Sequence, residues 1–142
     1  MTGTGRILVV DDDAMNRKLF GAVLTKAGFQ VSCVSSGAEA LALTAVEAPD
    51  LVLLDYMMPE MNGPEVLVRM RAQPRMERVP VFLITASTLD EHIEEGRRAG
   101  ADDYLFKPLD PQTLRTRVAA ALRQVEERRA ATSGAQPETI SQ

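Results

Sequence analysis

Five short apolar runs divide the first 106 residues of the chain, and longer segments of helical pattern separate them. The runs are residues 7–10, 31–34, 51–54, 81–84 and 104–106. The first, third and fourth are continuous rather than alternating, which is typical of strands covered on both faces. Strands that alternate with helices in this way form a parallel sheet with right-handed crossovers. The sequence therefore predicts an α/β domain.

The segments between the runs carry helix signals. Two sets of apolar residues recur at the spacing of one helix face and are predicted to pack on the sheet: Met15, Leu19, Val23 and Leu24, then Leu114, Val118, Leu122 and Val125. The predicted helix starts are the capping boxes Ser36–Glu39 and Thr88–Glu91 and the Asp110–Pro111 pair, and the predicted ends are Gly28 and Gly100.

Length and composition favour one domain. The chain has 142 residues, of which 45% are hydrophobic, and that is enough for a core without disulfides. The apolar pattern covers residues 5 to about 125. Residues 126–142 lose it, and they are predicted to form the end of the last helix and then a disordered tail or linker. The only cysteine, Cys33, lies in an alternating segment and is predicted to be a packed, inert thiol.

The location and some partners can also be predicted. No charged and apolar leader opens the chain, and no apolar run approaches the ~18 residues of a membrane span. We therefore expect a cytoplasmic protein without a membrane partner. The net charge of −4 argues against direct binding of nucleic acid.

Polar side chains follow four of the five runs, at the point where each predicted strand ends. Aspartates 11–13 follow the first run, Asp55 the third, Thr85 the fourth, and Lys107 with Pro108 the fifth. In such sheets, ligands bind at the carboxyl ends of the strands. Several carboxylates meeting there would repel one another unless a hard cation were present, and Mg²⁺ suits one or two carboxylates, waters and a phosphate oxygen. Asp13 alone reads more simply as a helix N-cap.

The motifs that carry these residues are "ILVVDDD", "LVLLDYMMPEMNG", "FLITA" and "DDYLFKP". In this order and spacing, residues 5 to about 125 resemble the receiver domain of two-component response regulators. The resemblance implies a flavodoxin-like, doubly wound (βα)5 fold with a five-stranded parallel sheet of order 2-1-3-4-5. It also implies a signalling switch rather than an enzyme, with self-phosphorylation and self-dephosphorylation as its only chemistry.

The resemblance further implies a role for each site residue. Asp55 would accept a phosphoryl group from a sensor histidine kinase or a histidine phosphotransfer protein. Asp11, Asp12, Asp55 and the backbone carbonyl of Met57 would hold Mg²⁺, with Asp12 the more direct ligand.

Two further side chains, Thr85 and Lys107, would contact the phosphoryl oxygens, and the Lys107–Pro108 peptide bond would be cis. Met57 and Ser87 occupy the two positions that tune hydrolysis of the phosphoryl group in this family. His92, among acidic neighbours, is predicted to face solvent and to have no catalytic role.

The predicted switch involves Thr85, Tyr104 and a helix over residues 89–99. In receiver domains the hydroxyl residue moves toward the phosphoryl group and the aromatic residue turns inward. The helix 4–strand 5–helix 5 face would then control a downstream protein partner, an output domain or a second copy of the domain.

Three alternatives remain open from the residues alone. Asp11-x-Asp13 after a strand mimics the nucleophile motif of haloacid-dehalogenase-like phosphatases, but the further acidic pair that those enzymes need after the lysine is missing. A flavodoxin-type flavin module would need a glycine- and hydroxyl-rich phosphate loop in place of "DDDAM". A degenerate receiver would lack one of the site residues, all of which occur here.

Overall fold

A computed structural model describes the backbone of residues 5–141 and the side chains of residues 5–131. Strands and helices alternate along the chain, with one 3₁₀ turn at Pro74–Met76. The strands are β1 (Arg6–Val10), β2 (Gln30–Val34), β3 (Leu51–Asp55), β4 (Val81–Thr85) and β5 (Asp103–Phe106). The helices are α1 (Ala14–Lys26), α2 (Gly37–Val46), α3 (Gly63–Arg71), α4 (Asp90–Ala99) and α5 (Pro111–Ser141).

The five strands form one parallel sheet of order β2-β1-β3-β4-β5, which confirms the predicted fold. Each central strand faces a helix layer on both sides. On β1, Ile7 and Val9 point to one core, while Leu8 and Val10 point to the other. Alternate side chains entering opposite cores explain why these runs are continuously apolar.

The two cores are built by different helices. The first core is covered by α1 and α5, through Phe20 and Leu24 of α1 and Leu114 and Val118 of α5. The second core is covered chiefly by α2 and α3, through buried residues that include Ala40, Val66, Leu67 and Met70.

The apolar face predicted for α1 is wrong at its first two positions. Met15 is 77% exposed and Leu19 is 45% exposed, whereas Phe20 and Leu24 are buried. The i, i+4 pair of Phe20 and Leu24 turns the helix so that its contact line lies one residue further along. The face predicted for α5 is confirmed, because Leu114, Val118 and Leu122 are buried and Val125 is half-buried.

Two predicted helix starts are confirmed in outline. The Ser36 side chain caps α2 by accepting a hydrogen bond from the Glu39 amide at 3.1 Å. The Glu39 carboxylate bonds the amide and hydroxyl of Ser35 instead of completing the predicted box. At α5, the Asp110 carboxylate accepts a hydrogen bond from the amide of Thr113.

The capping box predicted for Thr88 and Glu91 is wrong. α4 begins after Leu89, which offers no side-chain cap. Near this end, the Ser87 hydroxyl accepts a hydrogen bond from the Leu89 amide at 3.2 Å. Ser87, one residue before the predicted cap Thr88, therefore satisfies this backbone amide. At the other end of α4, Gly100 has a φ of 110°, in the left-handed region that glycine adopts readily.

The packing predicted for Cys33 is also wrong, because this side chain is exposed. It belongs to β2, which is the edge strand of the sheet and is only partly covered by α1. Cys33 faces α1, where its Sγ lies 3.8 Å from the Arg17 carbonyl oxygen, but at this edge of the sheet the helix leaves the side chain exposed.

The backbone of the last helix, α5, is helical through Ser141. For residues 126–142 the sequence predicted the end of this helix and then a disordered tail or linker, and that division stays a prediction. Glutamate, arginine and alanine dominate residues 126–131 and are good helix formers without an apolar face. The side chains of residues 132–142 lie outside the described part, and the domain boundary near residue 125 stays a prediction. Among the described residues, no helix combines the length and apolarity that crossing a bilayer requires.

Candidate functional site

Three aspartates meet at the carboxyl edge of the sheet. One carboxylate oxygen from each of Asp11, Asp12 and Asp55 lies within 4.8 Å of the others. Their proximity follows from the register, in which Val10 of β1 pairs with Leu54 of β3, so that the next residue on each chain segment, Asp11 and Asp55, lies at the same edge. Asp11 and Asp55 are buried and Asp12 is exposed.

Asp11 has an unbalanced environment. Its Oδ1 accepts a hydrogen bond from the Asp13 amide at 2.9 Å. Its Oδ2 is buried and has no hydrogen-bond partner among the described residues. A buried, unpaired carboxylate oxygen is costly. The oxygen donor set fits a hard cation such as Mg²⁺, which would satisfy that atom.

Asp13 does not join this group. Its Oδ1 accepts a hydrogen bond from the Met15 amide at 2.9 Å, and the residue is the N-cap of α1. This is the simpler of the two interpretations that the sequence allowed.

Asp55 is 3% exposed and forms an ion pair with Lys107, whose Nζ lies 2.9 Å from Oδ1. Burial is the main reason that the pKa of Asp55 rises from its ordinary value of 3.8 to about 6. The charges of Asp11 and Asp12 raise the pKa further, while the hydrogen bond and charge of Lys107 oppose the rise. One ammonium therefore compensates only part of the charge of three carboxylates.

The loop between β3 and α3 folds back closely on Asp55. The Gly63 amide donates a hydrogen bond to the Tyr56 carbonyl at 2.8 Å. A Cβ atom at Gly63 would lie 2.7 Å from the Asp55 carbonyl oxygen and 2.8 Å from Leu83, so glycine is required at this approach. Met57, two residues after Asp55, is 71% exposed at the mouth of the site.

Thr85 and Lys107 come from neighbouring strands. Thr85 ends β4, is buried, and pairs with Phe106 of β5 in the sheet register. The Lys107 amide donates a hydrogen bond to the Thr85 carbonyl at 2.8 Å, and the Lys107–Pro108 peptide bond is cis. The predicted residues Asp11, Asp12, Asp55, Thr85 and Lys107 therefore lie at one edge of the sheet.

The sequence did not predict a second polar group beside this site. The hydroxyl of Ser87 lies 2.7 Å from Nδ1 of His92, and the His92 ring lies 5.4 Å from that of Tyr56. The Tyr56 hydroxyl donates a hydrogen bond to Glu95. Burial, followed by this bond, raises the pKa of Tyr56. His92 is half-buried, so the prediction that it faces solvent is wrong.

Tyr104 is half-buried between β5 and α4. Its hydroxyl donates a hydrogen bond to the Ile93 carbonyl, and its ring stacks with that of Phe106 at 6.3 Å. A Cβ atom at Gly96 would collide with this hydroxyl and lie 2.5 Å from Leu83. The glycine inside α4 therefore makes room for the tyrosine.

The fold and site together define a doubly wound α/β domain with an acidic cluster and a lysine at the carboxyl edge of its sheet. The family model for the response regulator receiver domain matches residues 7–119, which is more than half of the chain. The chain belongs to this family and is a receiver domain of two-component systems. Members of the family are signalling proteins rather than classical enzymes.

Several known proteins are similar to this chain. The DNA-binding response regulator MtrA of Mycolicibacterium paratuberculosis is 43% identical over 118 residues, which are 83% of this chain and 51% of MtrA. The chain thus spans about half the length of these curated relatives. The structure of chemotaxis protein CheY4 of Vibrio cholerae has a TM-score of 0.80 and 31% identity, over 84% of this chain and 99% of CheY4.

A third similar protein is the receiver domain of a sensor histidine kinase from Pseudomonas aeruginosa. Its TM-score is 0.78 and its identity is 30%, over 85% of this chain and 98% of that domain. A magnesium ion is coordinated in the active-site cleft of that structure.

Proposed function

We propose that this receiver domain is a switch controlled by phosphorylation of Asp55, with a sensor histidine kinase or a histidine phosphotransfer protein as the donor. One observation carries the proposal: a buried aspartate lies beside two further carboxylates and forms an ion pair with Lys107. A carboxylate of this kind can act as a nucleophile toward phosphorus.

The reaction needs little from the protein beyond position and charge. A carboxylate oxygen of Asp55 attacks phosphorus, the bond from phosphorus to the donor's histidine nitrogen breaks, and an acyl phosphate forms. Charge spreads over the phosphoryl oxygens during the transfer. Lys107 and Thr85 lie at the same sheet edge as Asp55, and their ammonium and hydroxyl groups would bind those oxygens. Attack by water later removes the group and resets the switch.

The acidic residues fit a magnesium ion. Asp11, Asp12, Asp55 and the Met57 carbonyl would hold it, and Asp12 is the exposed member of the set. When bound, Mg²⁺ neutralises negative charge on the transferring group. The buried, unpartnered Oδ2 of Asp11 supports this assignment, as does the magnesium-bound cleft of the similar Pseudomonas aeruginosa domain.

Asp55→Asn tests the acceptor. With Mg²⁺ and acetyl phosphate, the parent protein should gain one phosphoryl group that is stable in acid and labile in base. The variant should gain none, because an amide is not an anionic nucleophile. Intact-mass spectrometry measures the gain, and equal labelling of the two proteins would refute the assignment.

Asp12→Ala tests the metal site through thermal stability. A cation that binds only the folded protein raises the melting temperature by mass action. Removal of the Asp12 carboxylate should abolish most of the Mg²⁺-dependent rise in Tm. Asp13→Ala is the matched control, since it removes an adjacent carboxylate that caps α1 and should keep the rise. An Asp12→Ala variant that keeps the parental Mg²⁺-dependent rise in Tm would contradict the ligand assignment.

The output of the switch would lie at the face formed by α4, β5 and α5. Tyr104 and the exposed Phe106 belong to it, and Asp103 of β5 forms an ion pair with Arg117 of α5. We propose that this face binds a downstream protein, an output domain or a second copy of the receiver in the cytoplasm. The DNA-binding name of MtrA describes a protein about twice as long, and these residues are not proposed to touch nucleic acid or membrane.

A further inference from the structure

We propose that His92 is a positioning residue that holds the Ser87 hydroxyl turned toward α4 and so lengthens the lifetime of the phosphoryl group on Asp55. The inference rests on the proposed function. It concerns the rate at which the phosphorylated state decays, and it assigns part of that rate to a side chain of α4 rather than to the acidic cluster.

Ser87 lies next to the reacting groups but its hydroxyl is bound elsewhere. Its backbone amide donates a hydrogen bond to the Thr85 hydroxyl oxygen at 3.0 Å, so residue 87 borders the predicted phosphoryl contact. Its own hydroxyl accepts a hydrogen bond from the Leu89 amide at 3.2 Å and pairs with His92 Nδ1 at 2.7 Å. Both partners belong to the start of α4.

His92 also contacts Tyr56, which follows the strand that carries Asp55. Its ring lies 5.4 Å from that of Tyr56, the residue after Asp55, with 40° between the ring planes. The Tyr56 hydroxyl is bound to Glu95, which lies one turn further along α4. The imidazole is therefore held between the serine and a buried tyrosine.

The hydroxyl of a serine has one hydrogen and two lone pairs. With Leu89 and His92 as partners, the Ser87 oxygen is restrained whichever imidazole tautomer is present. Removal of the imidazole leaves the hydroxyl held only by the long hydrogen bond from the Leu89 amide, on the residue whose amide already contacts Thr85. That hydroxyl can then bind a water molecule or a phosphoryl oxygen at Asp55, which favours hydrolysis.

A set of variants separates this role from a general loosening of α4. His92→Ala should shorten the half-life of the acyl phosphate about fivefold, the equivalent of one neutral hydrogen bond. His92→Asn should keep the parental half-life, because its side-chain oxygen can occupy the place of Nδ1. Ser87→Ala should not shorten the half-life, and adding His92→Ala to it should have no further effect.

The measurement is the decay of the phosphorylated mass after removal of acetyl phosphate. Equal half-lives in His92→Ala and the parent protein would overturn the inference. So would a Ser87→Ala half-life as short as that of His92→Ala, since loss of the tie to α4 would then be the cause. Failure of the parent protein to label at all would instead refute the proposed function, and the inference with it.

The hydrogen bond can also be tested in the unphosphorylated protein. The ¹⁵N chemical shift of His92 Nδ1 should change on Ser87→Ala and remain unchanged on Thr88→Ala, which alters the exposed neighbouring residue. An unchanged shift in both variants would mean that the bond is not formed, and would overturn the inference independently of the kinetics.

Discussion

Asp55 lies in the interior because the strand that it ends is buried along its whole length. Its carboxylate gains one ion pair, with Lys107, and loses most of its contact with water. Burial and the two neighbouring aspartates raise its pKa to about 6. The folded protein therefore binds this proton more tightly than the unfolded chain does, and the ionised site costs stability.

The first consequence is a pH dependence without divalent cations. Because the pKa of Asp55 is higher in the folded state, its contribution to stability is complete below about pH 3.8 and is lost as the pH rises through about 6. Asp55→Asn has no such loss. The free energy of unfolding of Asp55→Asn, relative to that of the parent, should therefore increase by up to about 3 kcal/mol between pH 4 and pH 7.5.

Urea denaturation in the presence of a chelator measures this difference. Lys107→Met is an informative companion, since it removes the compensating charge and should steepen the parental pH dependence. A constant difference between Asp55→Asn and the parent across the range would contradict the raised pKa.

For single residues, the sequence predicted the positions of side chains at strand ends well and the orientation of side chains on helix surfaces poorly. Asp11, Asp55 and Lys107 could be placed together because apolar runs define where strands end. The contact of His92 with Ser87 depends on the rotation of α4 about its axis, and the acidic neighbours of His92 suggested the opposite orientation. The burial of Tyr56 could not be predicted from the sequence either, because this residue lies beyond the last residue of its strand.

In α4, the intrinsic helix propensity of one residue conflicts with the packing that this residue provides. Glycine in a helix costs roughly 1 kcal/mol relative to alanine. Gly96 is nevertheless the one described residue of α4 that is buried, and it makes room for the Tyr104 hydroxyl. In the sequence of the predicted helix over residues 89–99, Leu89 and Ile93 are the only large apolar residues. The sequence could not predict that two tyrosines, Tyr56 and Tyr104, attach the helix through hydrogen bonds.

The proposed switch predicts where phosphorylation changes the molecule. Amide chemical shifts should change near Asp55 and also along residues 89–104, because Thr85, Tyr104 and α4 would move between two states together. Comparing NMR spectra with and without a phosphoryl mimic measures this. In Tyr104→Phe, which loses the bond to the Ile93 carbonyl, the shifts of α4 should move part of the way before any phosphoryl mimic is added.

Residues of β2, at the far edge of the sheet, provide the internal control and should remain unchanged. Changes restricted to the neighbourhood of Asp55, with α4 silent, would mean that this helix does not report phosphorylation.

The molecule as a whole is specified by its alternation of strands and helices. The two cores follow from the five apolar runs and the crossover rule, whereas the strand order was implied by the resemblance to receiver domains. The exposure of Cys33 does not follow from its local alternating pattern, because it depends on the position of β2 at the edge of the sheet. The length of α5 is also not readable from hydrophobic periodicity, since helix-forming residues continue past the last packed position.

Truncation tests where the folded unit ends. Ala121 and Leu122 belong to the first core and lie beyond residue 119, where the family match stops. A chain ending at residue 131 should keep the parental free energy of unfolding. A chain ending at residue 119 should lose at least the ~2–5 kcal/mol expected for removing one buried leucine. Chemical denaturation compares them, with Leu122→Ala as the point-variant control, and equal stability of both truncations would refute the boundary near residue 125.

The way in which α4 is attached has a consequence for temperature. Apolar packing weakens on cooling, because its driving force near room temperature is largely entropic. The two cores that hold α1, α3 and α5 to the sheet depend on that force. In α4 only Gly96 is fully buried and Ala99 packs against the second core in part, so this helix depends more on its hydrogen bonds with two tyrosine hydroxyls. Cooling should therefore weaken the packing of the two cores more than it weakens the attachment of α4 to the sheet. On cooling, the equilibrium between the two proposed signalling states should then change less than the free energy of unfolding of the domain.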